Sequence, residues 1–442
     1  MIRLGQNIVN TLPVAHCFLF GKSEHPSADL RLMHFHRLDD ERAGCFCSGL
    51  RCSALPGSET SHGRQLSIDS LGQDAVMMIP RFMFAALCAL GSLTCVAHGA
   101  NVNGEATYIS FSVPGAFGTY PTGINASMEV TGYYVTPTVA GGFLREADGT
   151  ITTFNVAGSV WTQPEGINAA GNITGFYQPG SQDGAGVPVQ GFLRYTDGRI
   201  IIIDAPQAYY AVGAQPVSIS DFDEIAGTYI AAGPGAFTRS GAGVLTNIQA
   251  HGGGSTVATA INASGSVVGY SGYTGFVAHP DGYWAEIAIP VLPGCSQQTI
   301  PDGINAAGMV AGWFSNYTFP DNGNCNAVRT GGFVMSPDGE LTLFQPPGTI
   351  PTLPSHLQEY GGVAFPHWIS IDTAGDVTGS YWDPAGVQHG FVRNPYGTIT
   401  SFDPPEGKQT TATSISDGGA IAGFYQYNAG GGPPVGFIRV PQ

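Results

Sequence analysis

Short runs of alternating apolar and polar residues fill the chain from residue 105 to residue 442, and turn-forming residues separate them. One such run spans Ile173–Tyr177, and two more, 190–194 and 199–203, flank an Asp-Gly pair. A period of two residues is typical of a β-strand, and Asp-Gly between two such runs indicates a hairpin. Together with the run before Ile173, this pattern predicts four strands joined as a meander.

The same pattern returns seven times along the chain. Each copy begins with Ile followed by Asn, Asp or Ser, continues through a turn to a strand with a fixed Gly, and usually ends with Gly-Phe. The repeats, numbered 1 to 7 below, begin at Ile124, Ile167, Ile219, Ile261, Ile304, Ile371 and Ile415. Four-stranded units of about 40–50 residues, repeated four to eight times, predict a β-propeller. A β-solenoid would have a shorter period, and a chain of separate sandwiches would need longer units.

The two ends of the repeat region predict how the fold closes. Repeat 7 ends at Gln442 without room for a fourth strand, whereas residues 108–114 match 399–405, the fourth strand of repeat 6. An N-terminal strand that completes the last unit would leave no exposed sheet edge between the chain ends. We therefore predict an all-β fold over residues 105–442: a seven-bladed β-propeller of four-stranded blades, closed by this strand.

Two repeated positions predict packing roles. The fixed Gly of the second strand weakens a strand unless a neighbour needs the space, so we expect an aromatic ring of an adjacent blade against it. The Phe of the third strand is expected to fill the space between blades. Repeat 3 departs from the pattern, with Gly235-Ala236-Phe237 and no Asp-Gly, so we expect an irregular blade there.

Charge excludes one class of partner. The chain has 16 Lys+Arg and 32 Asp+Glu, a formal net charge of −16, and the excess of acid lies entirely after residue 97. A nucleic acid would be repelled by such a surface, so nucleic-acid binding is not expected.

The first 97 residues are different in character. Residues 1–76 show no hydrophobic periodicity, and we interpret them as an unstructured leader that lies upstream of a true start at Met77 or Met78. Residues 77–97 have a basic Arg81 followed by an apolar run that ends in small residues, which is typical of a secretory signal peptide. An uncleaved membrane anchor is the alternative. The preferred interpretation predicts a secreted, extracellular or periplasmic protein with no stable membrane span after processing.

Cysteine usage agrees with export. Of the eight cysteines, only Cys295 and Cys325 would remain after processing. An isolated pair in an exported chain indicates one disulfide bond, which we predict between these two residues.

Histidines provide the candidate catalytic cluster. In the predicted topology His356, His367 and His389 share one sector of the face where the loops between strands two and three and between blades emerge, with Glu359, Tyr360 and Asp383 nearby. We call this side the loop face. Two histidines and a carboxylate can bind zinc or perform acid–base chemistry. The alternative is a set of unrelated loop histidines, and we assign no metal or cofactor.

The repeat resembles that of the bacterial extracellular proteins called the HAF family, whose units have an INxxGxIxG core followed by GF(V/L). The resemblance covers about residues 105–442 and holds in seven copies. It implies export and a propeller-like repeat, but no activity and no functional residues. We expect an exported, monomeric binding module for an extracellular glycan or protein. The alternative is an extracellular hydrolase or lyase that acts on a polymer through the histidine cluster.

Overall fold

The computed structural model describes residues 15–17, 33–38, 42–47, 75–79, 106–180, 188–204, 212–230, 234–249, 255–290, 296–317, 330–349, 368–428 and 432–441. The chain divides into two units, Met1–Gly104 and Glu105–Gln442.

Within Met1–Gly104, four strands form one antiparallel sheet in chain order. They are β1 (Ala15–Cys17), β2 (Met33–Leu38), β3 (Arg42–Cys47) and β4 (Ala75–Ile79). These strands lie in a stretch for which the sequence predicts no regular structure. The signal peptide stays a prediction, because residues 80–97 lie outside the described part. Among the described residues, no helix is long and apolar enough to cross a membrane.

The unit Glu105–Gln442 consists of β-strands and turns over its described residues. Its strands are β5 (Thr107–Phe111), β6 (Gly118–Ile124), β7 (Val130–Val135), β8 (Ala140–Arg145), β9 (Ile151–Phe154), β10 (Ser159–Ile167), β11 (Ile173–Pro179), β12 (Gln190–Arg194), β13 (Ile200–Ile203), β14 (Val212–Ile219), β15 (Ile225–Ile230), β16 (Pro234–Arg239), β17 (Leu245–Ile248), β18 (Thr256–Ile261), β19 (Val267–Ser271), β20 (Thr274–Ala278), β21 (Trp284–Ile287), β22 (Ser296–Ile304), β23 (Val310–Tyr317), β24 (Thr330–Met335), β25 (Leu341–Phe344), β26 (Ser370–Ile371), β27 (Val377–Trp382), β28 (Gln388–Arg393), β29 (Ile399–Phe402), β30 (Gln409–Ile415), β31 (Ile421–Gln426) and β32 (Val435–Val440).

Each repeat pairs its strands antiparallel in chain order, as the meander predicts. Repeats 1 and 2 share a longer sheet through a single parallel bridge between Ala140 of β8 and Trp161 of β10. In repeat 7 the fourth position is occupied by β5, which pairs with β32 and places Phe111 opposite Gly436. The strand before the first repeat is therefore part of the last sheet.

Neighbouring sheets pack through the first strand of the later one. Strand β14 packs against β11, β18 against β15, β22 against β19, and β30 against β27. Strand β6 of repeat 1 packs against β30, β31 and β32 of repeat 7. One hydrophobic cluster joins these two repeats, because Ile124, Val130 and Phe143 contact Ala422 and Ile438.

The fixed Gly of the second strand is required by its own sheet. A Cβ atom on Gly132 would lie 2.1 Å from the carbonyl oxygen of Tyr120, and one on Gly175 would lie 2.2 Å from that of Gln163. Both carbonyls belong to the first strand of the same sheet, next to a β-bulge. In repeats 3 and 6 the nearest atoms belong to the third-strand Phe, again of the same sheet. The prediction of an adjacent blade's aromatic ring at this position is thus wrong.

The third-strand Phe does fill the space between sheets. Phe391 of repeat 6, for example, belongs to one cluster with Trp313 and Phe344 of repeat 5. All seven equivalent rings are 0–1 % exposed: Phe143, Phe192, Phe237, Phe276, Phe333, Phe391 and Phe437.

Repeat 3 is a regular sheet, so the expectation of an irregular blade is wrong. Phe237 pairs with Gly227 as Phe192 pairs with Gly175 in repeat 2, so the residues before it do not change the register. Gly243, with φ of 89°, replaces the Asp-Gly turn and donates its N–H to the carbonyl of Ser240.

A ladder of buried side chains joins the turns that follow the repeat Ile residues. The Oδ1 of Asn305 accepts the N–H groups of Ala307 and Met309 within its own turn. Its Nδ2 donates to the carbonyl of Asp372 in the next repeat at 2.9 Å. Asn125, Asn168 and Asn262 donate in the same way to the next turn.

Asp372 has a carboxyl group in place of the side-chain amide that donates to the next turn elsewhere. Asp372 occupies the equivalent turn position of repeat 6, where burial raises the pKa of its carboxyl to about 6, with the charges of Asp376 and Asp417 adding to the effect. A carboxylate cannot donate a hydrogen bond, whereas the protonated acid can.

We predict that Asp372→Asn stabilises the protein at neutral pH by about 0.5–1.5 kcal/mol, because the amide restores a donor. Since the folded pKa lies above the unfolded value of 3.8, the stability from Asp372 is complete below about pH 3.8 and is lost as the pH rises through 6. Urea unfolding at several pH values measures both effects. The reverse change, Asn305→Asp, is the matched control and should destabilise more as pH rises; equal stability of Asp372→Asn and wild type at pH 7.5 would contradict the prediction.

Candidate functional site

Most of the side chains that the sequence singled out lie outside the described residues. This holds for His356, Glu359 and His367 of the candidate cluster, and for Cys295 and Cys325 of the predicted disulfide. His389 is described, at the start of β28 on the loop face.

His389 lies between two carboxylates. Its Nδ1 is 2.7 Å from Oδ2 of Asp403, and its Nε2 is 3.5 Å from Oδ2 of Asp383. Asp403 also accepts the Thr410 hydroxyl at 2.5 Å, and Asp383 accepts the N–H of Val387 at 2.7 Å. The side chain of His389 is 23 % exposed, so both ring nitrogens are positioned by protein and one edge still reaches solvent.

This arrangement can hold a histidine ring for proton transfer, since a carboxylate on Nδ1 fixes the tautomer that exposes Nε2. The contact of Asp383 with Nε2 can equally serve a structural role, because it links the two ends of the loop between β27 and β28. Within the described part of the chain, no group of three or more His, Cys, Asp or Glu residues could hold a metal ion. The described contacts place both ring nitrogens of His389 next to carboxylates.

A second candidate site is a row of four rings, which we call the aromatic row: Tyr120, Tyr133, Phe424 and Trp368. The rings of Tyr120 and Tyr133 stack at 4.6 Å, and Phe424 meets Tyr120 edge-on at 5.2 Å. Trp368 lies 6.0 Å from Phe424 and is 41 % exposed. The row thus crosses from repeat 1 through repeat 7 to repeat 6, and its outer ring is open to solvent.

Local sequence explains where these rings lie. Tyr133 and Phe424 directly follow the fixed Gly of a second strand, and Tyr120 is the first-strand partner of Tyr133. Trp368 lies two residues before the short first strand of repeat 6. Because Gly has no side chain, the rings beside it approach the first strand closely and continue across the sheet boundary.

Glu165 lies next to the aromatic row. The residue as a whole is partly exposed, but protein atoms surround its carboxyl group. This burial raises the pKa of Glu165 to about 7. Gln163 donates from Nε2 to Oε1 of Glu165 at 2.7 Å. Burial raises the pKa of Tyr133 to about 12, and the charges of Tyr120 and Glu165 add to it. The row therefore has an amide and a carboxyl at its edge.

Glu165 occupies the bulge of its first strand, a position with a sequence signature. In the segments Pro-Thr-Gly, Pro-Glu-Gly and Pro-Asp-Gly the central residue lies at the bulge. The Thr122 hydroxyl uses this position to donate to the carbonyl of Pro164 in the next sheet at 3.0 Å. Burial raises the pKa of Asp302, the equivalent residue of repeat 5, to about 8. The sequence analysis missed these acids and the aromatic row, although the Pro-X-Gly segments are visible in the sequence.

Comparison with known proteins identifies no family. No protein-family model matches the chain, and no curated protein matches it. Among solved structures, it is similar to a catalytically inactive virginiamycin B lyase from Staphylococcus aureus bound to quinupristin, at 14 % identity and a TM-score of 0.47, covering 76 % of this chain and 100 % of that one. It is also similar to a gluconolactonase from Xanthomonas campestris, at 11 % identity and a TM-score of 0.34, covering 76 % and 90 %. Prolyl oligopeptidase B from Galerina marginata is similar at 9 % identity and a TM-score of 0.42, covering 73 % and 47 %.

We predict that Glu165→Gln removes a pH-dependent loss of stability. The folded pKa of Glu165, about 7, is above its unfolded value of 4.5, so its contribution is complete below about pH 4.5 and is lost as the pH rises through 7. The variant should equal wild type at pH 4.5 and exceed it at pH 8, because Gln keeps the oxygen that Gln163 contacts. Thermal unfolding across this range measures the difference, and parallel curves for the two proteins would show that Glu165 titrates normally.

Proposed function

We propose that residues 105–442 form a closed, seven-bladed β-propeller. Support comes from the packing of each sheet on the next, from the contacts of β6 with the strands of repeat 7, and from the pairing of β5 with β32. A ring of sheets needs every sheet to bury both faces, and the inter-sheet Phe residues provide the apolar filling on each side.

We further propose that this propeller is an exported binding module whose ligand is an extracellular glycan. The observation that supports it is the aromatic row, with Trp368 open to solvent and Gln163 near its edge. Aromatic faces pack against the apolar faces of sugar rings, while amide groups exchange hydrogen bonds with hydroxyls.

Three further proposals rest on the sequence. The signal peptide at 77–97 supports secretion, and the repeat core supports membership of the HAF family. The isolated pair Cys295 and Cys325 supports a disulfide in the exported chain. A monomer is consistent with a closed ring, which leaves no sheet edge between its ends.

We predict that Trp368→Ala weakens binding to a glycan ligand by about tenfold, because a central aromatic contact commonly contributes that much. A screen of neutral extracellular polysaccharides and their oligosaccharides finds the ligand, and calorimetry measures the affinity. Tyr396→Ala is the matched control, since Tyr396 is 89 % exposed and outside the aromatic row. Unchanged affinity in Trp368→Ala, or equal losses in both variants, would exclude the aromatic row as the site.

The second candidate function is a hydrolase or lyase that acts on an extracellular polymer. The contact of His389 with Asp403 favours it, because a carboxylate on one ring nitrogen is the arrangement that prepares a histidine for general base or acid catalysis.

For this function we predict that His389→Gln lowers turnover by at least about 100-fold without lowering the melting temperature by more than a few degrees. Release of soluble product from a polysaccharide panel measures activity. His279→Gln is the control, because His279 also makes a side-chain hydrogen bond, to Ser266, outside the cluster. Full activity in His389→Gln, or no activity in wild type on any polymer, argues against an enzyme of this kind.

A further inference from the structure

Four boundaries between sheets are closed by the same pair of side chains. An Arg at the end of a third strand stacks over the Phe that ends the fourth strand of the preceding sheet. The distances from Cζ to the ring centre are 4.9–5.3 Å for Arg145 on Phe111, Arg194 on Phe154, Arg393 on Phe344 and Arg439 on Phe402. We call this pair the Arg–Phe clamp.

The clamp is missing at three boundaries. At that of repeats 2 and 3 the arginine is present as Arg239 but Ile203 replaces the Phe, whereas both residues are replaced on both sides of repeat 4. At the boundary of repeats 3 and 4 the equivalent residues are Ala278 and Ile248, and at that of repeats 4 and 5 they are Met335 and Ile287. The register shows the equivalence, since Met335 pairs with Val310 as Arg393 pairs with Val377. These two boundaries therefore have no guanidinium over an aromatic ring.

An open cleft lies at each of these boundaries, and the missing pair lines it. The cleft between repeats 4 and 5 has a volume of about 500 Å³, and both Ile287 and Met335 lie on its wall. Volumes of this size hold small-molecule groups or single side chains of a partner. At this boundary Met335 packs on the hydrophobic cluster that contains Ile287, and the cleft lies beside that contact.

Charge distinguishes the two clefts. The cleft between repeats 3 and 4 is lined by Arg239 as well as Glu224. The cleft between repeats 4 and 5 is lined by Glu286 and Asp338 but by no Arg or Lys. Its charged walls are therefore acidic, its floor is apolar, and the ring of Tyr283, which is 62 % exposed, lies at its rim. An apolar floor with acidic walls and an aromatic rim suits a cation on an apolar stem.

We propose that the cleft between repeats 4 and 5 binds an arginine side chain of a basic segment in a partner protein, at a boundary where this chain has no arginine of its own. The guanidinium would pair with the carboxylates of Glu286 and Asp338, and its methylene stem would pack on Met335 and Ile287. Arginine suits the site better than lysine, because its planar group can donate to two carboxylates and stack on the ring of Tyr283. The excess of acid in the chain would attract such a segment from a distance.

The test uses the fluorescently labelled peptide acetyl-Gly-Gly-Arg-Ser-Gly-Gly-amide, with citrulline in place of arginine as the uncharged probe of the same shape. We expect the arginine peptide to bind at least about tenfold more tightly than the citrulline peptide, with an affinity that falls as salt rises. Fluorescence anisotropy measures both. Equal affinities, or no binding of the arginine peptide at millimolar protein, overturn the proposal.

Two variants locate the site. Met335→Arg supplies the chain's own arginine, so it should abolish peptide binding while the melting temperature stays the same or rises. The double variant Glu286→Gln with Asp338→Asn keeps the shape of the cleft and should weaken binding by about fivefold, since both carboxylates are exposed. Asp148→Asn is the matched control, because Asp148 lies in the equivalent turn of repeat 1 at a closed clamp. If the double variant and Asp148→Asn bind the arginine peptide equally well, the cleft is not the site. A loss of glycan binding in Trp368→Ala concerns the aromatic row and leaves the result for the cleft unchanged.

Discussion

The close approach of the second-strand Gly to the first-strand carbonyl is the contact on which the rest of this fold depends. The carbonyl can come within about 2 Å of where a Cβ would be only because Gly lacks that atom, as at Gly269 and Gly423. The same approach accompanies a bulge in the first strand, which releases one residue from the ladder. That residue then faces the neighbouring sheet, where Thr259 donates its hydroxyl to the carbonyl of Pro301 at 2.6 Å. A single missing methyl group thus determines the bulge, and the bulge provides the contact between sheets.

The repeated features were the ones that the sequence could predict. Strand order, the Asp-Gly hairpins and the buried Phe residues each depend on a few neighbouring residues, and seven copies in one chain make the pattern clear. The partner of the fixed Gly was assigned to the wrong sheet, because a period along the chain does not say which backbone approaches in space. Repeat 3 was misjudged for a related reason: its register depends on the pairing of Phe237 with Gly227, which the changed residues before Phe237 do not disturb.

The candidate sites were less predictable than the scaffold. Of the histidine cluster, His389 alone lies in the described residues. Asp383 was expected near it, because the two residues flank one loop, whereas Asp403 follows the fourth strand and no local spacing connects it to His389. The aromatic row combines rings from three repeats, and a clamp combines two. Such sets form only after the sheets pack, so their members look like ordinary core residues in the sequence. Function in this architecture is expected where the repeats differ, and the differences become meaningful only when equivalent positions are superimposed by register.

The amide hydrogen bonds between turns stop at the borders after repeats 3 and 6, and another side chain makes the link there. Asn125 and Asn168 donate from repeat 1 to repeat 2 and from repeat 2 to repeat 3, and Asn262 and Asn305 do so from repeat 4 to repeat 6. Ser220 and Asp372 have no amide to donate. At both borders a serine two residues earlier replaces it, because the Ser218 hydroxyl accepts the N–H of Ile261 and the Ser370 hydroxyl accepts that of Ile415. A repeat that loses the turn amide thus carries a compensating hydroxyl in its first strand, so the two substitutions are expected to be exchanged together and not singly.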